Sequence, residues 1–524
     1  MAQNIKPVIS PETIGELIQD GAVLTISSSS ALGCPDLALK GLGQYYSKHQ
    51  SPKNLTCISP IAAGDMYGVK GIDHLCQEGM ISKIIAGSYP SGPSSFEPPL
   101  IRQFIAAEKI DGYNLPSGVL FQMHRAGSTN QPGVFSKVGL ETFIDPRIQG
   151  GALNTRSSKD FITFTELNGE EYLFYPAIKP NVAIIRATTA DEFGNLSYEQ
   201  EGSPLGALDQ AFAAHNNGGI VIAQVKQIVP AGTIDPKVVR VPGILVDYLV
   251  VDENQLQTTN TTYDPALSGE HVDNASSTEP LALTLETAIA RRAAKEIQDS
   301  WVVNLGFGIS AVVPQVLREA HPEFNVSWVI EQGAVGGIPL TGFAFGCAAN
   351  PDAIMQSVDQ FTLLQGAGFN AAMLSFLEVD RDGNVNVSDL PGRTHVTAGV
   401  GGFADITSSA PLIVFSGYFT AGSKEIAIDS SGVHIVADGK ISKFVESVSQ
   451  ITFSGNRSQK NGQKIIYVTE RCVLELRPKG LTVTEIAPGI DLQRDILEKA
   501  QFPLLVAEDL KEISSDVYLE GVLL

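Results

Sequence analysis

The chain has 524 residues, of which 43% are hydrophobic and 18% are charged, a composition typical of a globular protein with two or three domains. Acidic residues outnumber basic ones by 57 to 36, and the formal net charge of −21 would repel the phosphate backbone of a nucleic acid. We therefore expect no nucleic-acid partner. The net charge does not exclude small phosphorylated ligands, because backbone N–H groups can hold a phosphate inside an acidic protein.

The cysteines and the apolar runs exclude other classes. The five cysteines are scattered and show no metal-binding spacing, so we expect reduced thiols and no metal site. The N-terminal segment MAQNIKPVIS lacks the pattern of a signal peptide, and no uninterrupted apolar stretch approaches 18 residues. These features predict a cytoplasmic protein without a membrane partner.

Two pairs of similar segments indicate an internal repeat. The tripeptide Ile-Gln-Asp precedes a strand pattern, a small-residue loop and a helix pattern at residues 18–39 and again at 297–317. A strand, an acidic Gly-Asn turn and a second strand recur at 182–199 and 373–388. Because the two pairs have different offsets, we expect the first half to carry a long insertion near residues 60–160.

The order of predicted elements indicates the fold class. Strand patterns that alternate with amphipathic helices predict an α/β protein with two related open-sheet domains and mostly parallel strands. We predict an N-terminal domain at residues 1–252, a polar connector at 253–284 and a C-terminal domain at 285–524. Ligands of such sheets bind at the carboxyl ends of the strands, where the candidate loops lie.

The first candidate loop is Gly306-Phe307-Gly308-Ile309-Ser310, between a strand pattern and a helix pattern. Glycines before a helix can bring backbone N–H groups close to a phosphate. Together with the next alanine, the segment also fits G-x-G-x-x-A, so a nicotinamide-dependent oxidoreductase is an alternative. A tight strand-to-helix turn would also need glycine without any ligand.

The second candidate is Glu331, which follows the strand pattern SWVI and precedes the glycine-rich segment QGAVGG. In a dinucleotide-binding fold, a carboxylate about 20 residues after the glycine loop binds a ribose hydroxyl. Glu331 follows Gly306 by 25 residues, near that interval. This hypothesis leaves the glycines after Glu331 unexplained.

The third candidate is Gly399-Val400-Gly401-Gly402, ahead of the strand pattern PLIVFSG. Successive glycine N–H groups can stabilise a developing oxyanion, although a flexible turn would show the same pattern. Three glycine-bearing loops in one half, one of them with a carboxylate at a strand end, favour a shared site. Between them, Asn350 and Pro351 are predicted to begin a helix as its N-cap and first residue.

Several blocks together resemble the family I coenzyme A-transferases, most closely the acetate/propionate CoA-transferase branch. The resemblance covers nearly the entire chain, and its blocks occur in the expected order. It implies the two-domain fold of that family, which is NagB/ribose-5-phosphate isomerase-like. It also implies ping-pong transfer of CoA from an acyl-CoA to a free carboxylic acid. The blocks are IDPKVVRVPGILVD (234–247), YDPALSGE (263–270), EQGAVGG (331–337), GFAFGCAANPDAI (342–354) and GVGGF (399–403).

The resemblance also implies roles for single residues. The family uses a glutamate as covalent nucleophile, and Glu331 occupies that motif position. CoA contacts would fall on residues 306–310, and Gly401 or Gly402 would donate a backbone hydrogen bond to the thioester oxyanion. No metal or cofactor is implied, and a homodimer or homotetramer is expected. An unperturbed glutamate has a pKa near 4.3, so we expect Glu331 to be ionised without a general base.

The sequence departs from this branch near the expected acyl pocket. Ser117 stands where the branch generally has glutamine, and the loop at 87–92, which contains Tyr89, also differs. We assign Phe345 to the same pocket. A short-chain acid such as acetate or propionate is the expected substrate, and a larger or more polar acyl group is an alternative. Two alternatives concern the activity itself: an acyl-CoA hydrolase on the same scaffold, and a binding protein without catalysis.

Overall fold

The computed structural model describes residues 4–272 and 281–519. Two large sheets organise this part of the chain, one of eight strands and one of ten strands. Helices cover the sheets, and smaller antiparallel sheets lie outside them. The predicted α/β class with open, largely parallel sheets is confirmed.

The first sheet comes from the first half of the chain and has the strand order β11-β10-β8-β1-β2-β3-β4. The pairs along this path are parallel, and β9 adds to β8 in the antiparallel direction. Strands β5, β7 and β6 form a separate antiparallel sheet. The bounds are β1 Val23–Ile26, β2 Leu55–Ser59, β3 Ile81–Ala86, β4 Asp111–Asn114, β5 Gly133–Ser136, β6 Thr163–Leu167, β7 Glu170–Pro176, β8 Val182–Asp191, β9 Leu196–Ser197, β10 Ile220–Val229 and β11 Tyr248–Val251.

The helices of the first half pack on this sheet. Strand β8 is buried along its whole length, as expected for a central parallel strand with both faces covered. The bounds are α1 Ile14–Leu17, α2 Asp36–His49, α3 Leu100–Ala106, α4 Ser117–Ser128, α5 Ala207–Asn216 and α6 Pro265–Ser268.

The second sheet has the order β17-β14-β13-β12-β18-β21-β26-β27-β28-β29. Strands β13, β12, β18, β21 and β26 are parallel. Antiparallel pairs extend the sheet through β14 and β17 at one end and through β27 and β28 at the other, where β29 adds parallel to β28. The bounds are β12 Val302–Leu305, β13 Ser327–Val329, β14 Ala334–Val335, β15 Ile338–Pro339, β16 Ala348–Ala349, β17 Ala353–Ile354, β18 Ala371–Ser375, β19 Glu378–Val379, β20 Val385–Asn386, β21 Leu412–Ser416, β22 Thr420–Ala421, β23 Glu425–Asp429, β24 Gly432–Ala437, β25 Ile441–Ser442, β26 Lys464–Val468, β27 Cys472–Arg477, β28 Gly480–Ile486 and β29 Leu505–Glu512.

Short helices connect these strands. A 3-10 turn at Ile309–Val312 leads into the helix that follows β12. The bounds are α7 Leu285–Ala294, α8 Val313–Ala320, α9 Ser357–Gln365, α10 Phe403–Thr407 and α11 Gly455–Lys460. Within the described residues, no helix has the length and apolar character needed to span a membrane.

The predicted helix start at Asn350 is wrong. Asn350 has a φ of 54°, in the left-handed region, and the chain continues into β17. The backbone N–H of Asp352 donates to the carbonyl oxygen of Val335 at 2.8 Å, which belongs to the β14–β17 hairpin pairing. Pairing between strands therefore outweighs the local preference of an Asn-Pro pair for a helix start.

The two sheets repeat one arrangement of strands. In the first, β1 lies between β2 and β8, and in the second, β12 lies between β13 and β18. The strands that follow the two Ile-Gln-Asp tripeptides are thus β1 and β12, and the second pair of similar segments contains β8 and β18. One hydrophobic cluster joins the halves, since Phe121 and Leu205 of the first half pack with Phe361 of the second.

Candidate active site

Glu331 lies in a tight turn directly after β13. The carbonyl oxygen of Ile330 accepts from the backbone N–H of Gly333, and the N–H of Ile330 pairs with the carbonyl oxygen of Ala334. Gly333 has a φ of 130°, and a Cβ there would lie 2.1 Å from the carbonyl oxygen of Met355. Only glycine fits this position, so the glycine after Glu331 fixes the turn that carries the carboxylate.

Side chains from both halves hold this turn. The carbonyl oxygen of Gln332 accepts from the hydroxyl of Ser357 at 3.0 Å and from the hydroxyl of Ser203. The side-chain amide of Gln332 lies 3.3 Å from Glu331 Oε1 and donates to Ser29 Oγ at 3.2 Å. The turn is therefore anchored to first-half residues as well as to its own sheet.

The carboxylate of Glu331 contacts the loop at residues 399–402. The backbone N–H of Gly402 donates a hydrogen bond to it. A Cβ on Gly402 would lie only 2.1 Å from Glu331 Oε2, so no other residue leaves room for the carboxylate in its present position. The structure thus brings Glu331 and Gly402 together, as expected for two residues that were predicted to belong to one site.

Burial raises the pKa of Glu331 to about 7, and the hydrogen bond from Gly402 only partly opposes this shift. The sequence-based expectation of an ordinary pKa near 4.3 is therefore wrong. The physical reason is desolvation, because among the described residues no positively charged group compensates the buried charge. Burial therefore makes Glu331 harder to ionise than a carboxyl group in water.

Gly401 and Gly402 differ in what their N–H groups do. The N–H of Gly401 donates to the carbonyl oxygen of Gly87 at 2.7 Å. The N–H of Gly402 instead faces Glu331. Of the two predicted oxyanion donors, Gly402 is the one whose N–H reaches the carboxylate.

The first half of the chain holds this loop of the second half through further hydrogen bonds. Tyr89 N donates to the carbonyl oxygen of Ala398 at 2.7 Å, and Ser117 N to that of Gly401 at 2.9 Å. The N–H of Val400 donates to Asn114 Oδ1 at 2.8 Å. The loop is therefore shaped by contacts with residues about 300 positions away in the chain.

The predicted CoA-binding segment follows β12, which pairs in parallel with β13, the strand before Glu331. The Phe307 ring contacts Phe345, and a Cβ on the adjacent Gly346 would lie 3.0 Å from the Gln332 side chain. Phe307 is 68% exposed. Gly308 has a φ of 92° and lies close to Ser375.

The remaining residues of that segment face inward. Ile309 is half-buried and opens the 3-10 turn before α8, and Ser310 is fully buried. Ser310 Oγ donates to the carbonyl oxygen of Phe307 at 3.2 Å and lies 3.3 Å from Ser375 Oγ. The loop thus presents Phe307 and Gly308 to solvent while Ser310 secures its base.

The three residues assigned to the acyl pocket lie around the same loops. Ser117 is fully buried at the start of α4, and its hydroxyl has no hydrogen-bond partner among the described residues. Tyr89 is buried, with its hydroxyl donating to the carbonyl oxygen of Tyr113 and its ring under the guanidinium of Arg102. Phe345 is half-buried and makes an edge contact with Phe307. Their role in binding an acyl group stays a prediction.

Two buried residues of the site were missed from the sequence. Asn114 at the end of β4 and Asp405 in α10 each bridge the two halves next to the Gly402 loop. No local pattern in the sequence distinguishes them from ordinary polar residues. Their contacts arise only when the halves pack together.

These observations define an α/β enzyme whose site lies between two similar open-sheet halves, with a partly buried carboxylate facing a backbone amide. The family model for coenzyme A transferase matches residues 10–252. The chain is 38% identical over 520 residues to acetate CoA-transferase YdiF of Escherichia coli K12, covering 99% of this chain and 96% of that protein. It is also 38% identical over 517 residues to caffeate CoA-transferase of Acetobacterium woodii, covering 98% and 97%.

A solved structure shows the same fold. The acyl-CoA transferase YdiF of Escherichia coli O157:H7, in its thioester complex with CoA, superposes with a TM-score of 0.89 at 36% identity, covering 98% of this chain and 96% of that one. The chain belongs to the coenzyme A transferase family and is an enzyme of the CoA-transferase type. The resemblance seen in the sequence is thereby confirmed, and the oxidoreductase alternative is wrong.

Proposed function

We propose that this enzyme moves CoA from an acyl-CoA to a free carboxylic acid through a thioester on Glu331. The contact between the Glu331 carboxylate and the Gly402 amide carries the proposal, because it joins a nucleophile to a hydrogen-bond donor. Donors of this kind stabilise the oxyanion of acyl transfer. The thioester complex of the related YdiF with CoA supports the covalent intermediate.

The first half-reaction has two steps. A carboxylate oxygen of Glu331 attacks the acyl-CoA carbonyl carbon, the C–S bond breaks, and a mixed anhydride and the CoA thiolate form. The thiolate then attacks the γ-carbonyl carbon of Glu331, which gives glutamyl-CoA and releases the donor acid as a carboxylate. The acceptor carboxylate reverses both steps and leaves as its CoA ester, so that Glu331 is regenerated.

The raised pKa of Glu331 suits this chemistry. A carboxylate in water is stabilised by hydration and attacks a thioester poorly, whereas a partly desolvated carboxylate with a pKa of about 7 is a stronger nucleophile. At neutral pH a large fraction is still ionised, so that no general base is required. The mechanism also requires that water be kept from the anhydride, which water would hydrolyse.

The proposed acids are short-chain carboxylic acids such as acetate and propionate, in line with the activity named for YdiF. A second substrate class is aromatic acids. Phe307 is exposed in the loop after β12, its ring lies 5.2 Å from that of Phe345, and a relative of equal identity is named for caffeate. Aromatic rings offer a flat acyl group a stacking surface.

Incubation with an acyl-CoA and no acceptor acid tests the proposal. We expect the mass of the peptide that contains Glu331 to increase by that of CoA. Glu331→Gln should lose the adduct and at least about 10⁴-fold of the exchange rate. The matched control is Glu323→Gln, an exposed carboxylate in the loop before β13. An adduct on another residue, or unchanged exchange in Glu331→Gln, would refute the mechanism.

A panel of acyl-CoA and acid pairs identifies the substrates. The rate of CoA exchange with acetate, propionate and caffeate ranks the two acid classes. Thioester loss that is independent of every acid would instead identify an acyl-CoA hydrolase.

A further inference from the structure

The loop that carries the Gly402 amide has little stiffness of its own. Gly399 and Gly401 have φ angles of 104° and 48°, in the region that favours glycine. Glycine loses more conformational freedom on folding than any other residue. An amide on such a loop keeps its direction only if contacts outside the loop fix the backbone.

Asn114 supplies such a contact from the first half. It is 1% exposed, and its Oδ1 accepts from the backbone N–H of Val400 at 2.8 Å. Its Nδ2 donates to the carbonyl oxygens of Ala86 and Gly87 at 3.0 and 2.7 Å. The second of these oxygens also accepts from the N–H of Gly401. Asn114 therefore ties two consecutive loop residues, directly and through Gly87, to the end of β3.

Asp405 supplies a contact on the other side of Gly402. It is completely buried in the first turn of α10, but its carboxylate accepts from the N–H of Gly118 at 2.9 Å and from the Gln365 amide at 2.7 Å. Gly118 belongs to α4 of the first half, and the preceding Ser117 N donates to the carbonyl oxygen of Gly401. The start of α4 therefore forms hydrogen bonds with the chain on both sides of Gly402, at Gly401 and at Asp405.

We propose that Asn114 and Asp405 are positioning residues that hold the Gly402 amide against Glu331 from both sides of the glycine loop. Neither residue is assigned contact with substrate. The inference rests on the proposed function, because it concerns the donor that acts on the Glu331 intermediate. Its mechanical basis is the hydrogen bonds that cross between the halves at Val400 and at Gly118.

The principal test compares the variant Asn114→Ala with the control variant Asn154→Ala. Asn154 is a matched control, since its Nδ2 donates to two carbonyl oxygens and its Oδ1 accepts a backbone N–H, all within the first half. Misplacing a reacting group by about 1 Å can cost about 10²-fold. We expect Asn114→Ala to slow glutamyl-CoA formation about 10- to 100-fold with the KM for acyl-CoA changed less than about threefold. Asn154→Ala should stay within about twofold.

Asp405→Asn tests the second residue with the size preserved. The Asp405 carboxylate accepts from Gly118, Val119 and Gln365, and an amide at 405 keeps only one accepting oxygen, so the rate should fall about 3- to 30-fold. Asp191→Asn is its control, because Asp191 is equally buried and accepts backbone N–H groups far from the loop. If Asn114→Ala does not fold, Asn114→Asp replaces it. This variant keeps an acceptor for Val400 but places a charged oxygen against the Ala86 and Gly87 carbonyl oxygens.

The outcomes separate the two proposals. Slow adduct formation at unchanged KM in both variants, with both controls near wild type, supports the inference. Adduct formation at the wild-type rate in folded variants would overturn the inference alone. Absence of a Glu331 adduct in the wild-type enzyme would overturn the proposed function, and the inference with it.

Discussion

Substitution of Gly402 by alanine tests the geometry of the site with little change elsewhere. Gly402 has a φ of −83° and a ψ of −3°, which alanine adopts without strain. The added methyl carbon would nevertheless lie 2.1 Å from Glu331 Oε2 and 2.8 Å from the Phe361 ring. Since carbon and oxygen approach to about 3.4 Å, the carboxylate must move by about 1 Å or more. The predicted defect is therefore a displaced nucleophile rather than a distorted loop.

The magnitude follows from the lost alignment. A displacement of about 1 Å costs about 10²-fold, and removal of an oxyanion donor costs about 10²- to 10³-fold, or about 2.7–4 kcal/mol. We expect the rate of glutamyl-CoA formation in Gly402→Ala to fall within that range. The assay is a single turnover with acyl-CoA, followed by mass spectrometry of the Glu331 peptide.

Gly366→Ala is the control for this substitution. Gly366 has nearly the same backbone conformation, with a φ of −84° and a ψ of 7°, and its added Cβ would approach only the carbonyl oxygen of Thr362 closely, at 3.0 Å. It should therefore react within about threefold of wild type. A folded Gly402→Ala enzyme that forms the adduct as fast as Gly366→Ala would refute the assignment of Gly402 and Glu331 to one reacting centre.

Two further predictions concern charge. The rate of adduct formation should rise about tenfold per pH unit up to a pKa of about 7 and then level off, because only the ionised Glu331 attacks. Single turnovers between pH 5 and 9 measure this profile, and a midpoint near 4.5 would contradict the effect of burial. Glu201→Gln should lower the free energy of unfolding by about 3–5 kcal/mol, since it leaves Arg186 buried without its counter-ion. Urea unfolding measures the change, and a loss below about 1 kcal/mol would contradict the role of this ion pair.

The sequence predicted the parts of the site that have local signals. A strand pattern followed by Glu331 and glycines indicates a carboxylate at the end of a parallel strand, and the structure has this arrangement. The two Ile-Gln-Asp tripeptides likewise identified equivalent strands in the two sheets. Such features depend on residues within a few positions of one another, which is why periodicity and glycine spacing show them.

The pKa of Glu331 and the roles of Asn114 and Asp405 could not be predicted in this way. Each depends on what another part of the chain brings to the site: low dielectric surroundings for Glu331, Val400 for Asn114 and Gly118 for Asp405. The wrong helix start at Asn350 has the same origin, because a strand partner outweighed the local preference. Burial and pairing between distant segments are properties of the packed fold rather than of sequence spacing.

The contacts between the halves explain how a glycine-rich loop can hold the Gly402 amide against Glu331. Glu331 and Gly402 both belong to the second half, yet the hydrogen bonds that orient the Gly402 loop come from Asn114 and the α4 start in the first. Ordering a glycine-rich backbone costs roughly 1–2 kcal/mol per residue, which these bonds help to offset. The packing of the halves therefore helps to fix Glu331 and the Gly402 amide relative to each other, so that under the proposed mechanism substitutions in β4 or α4 should alter the chemical step without contact with substrate.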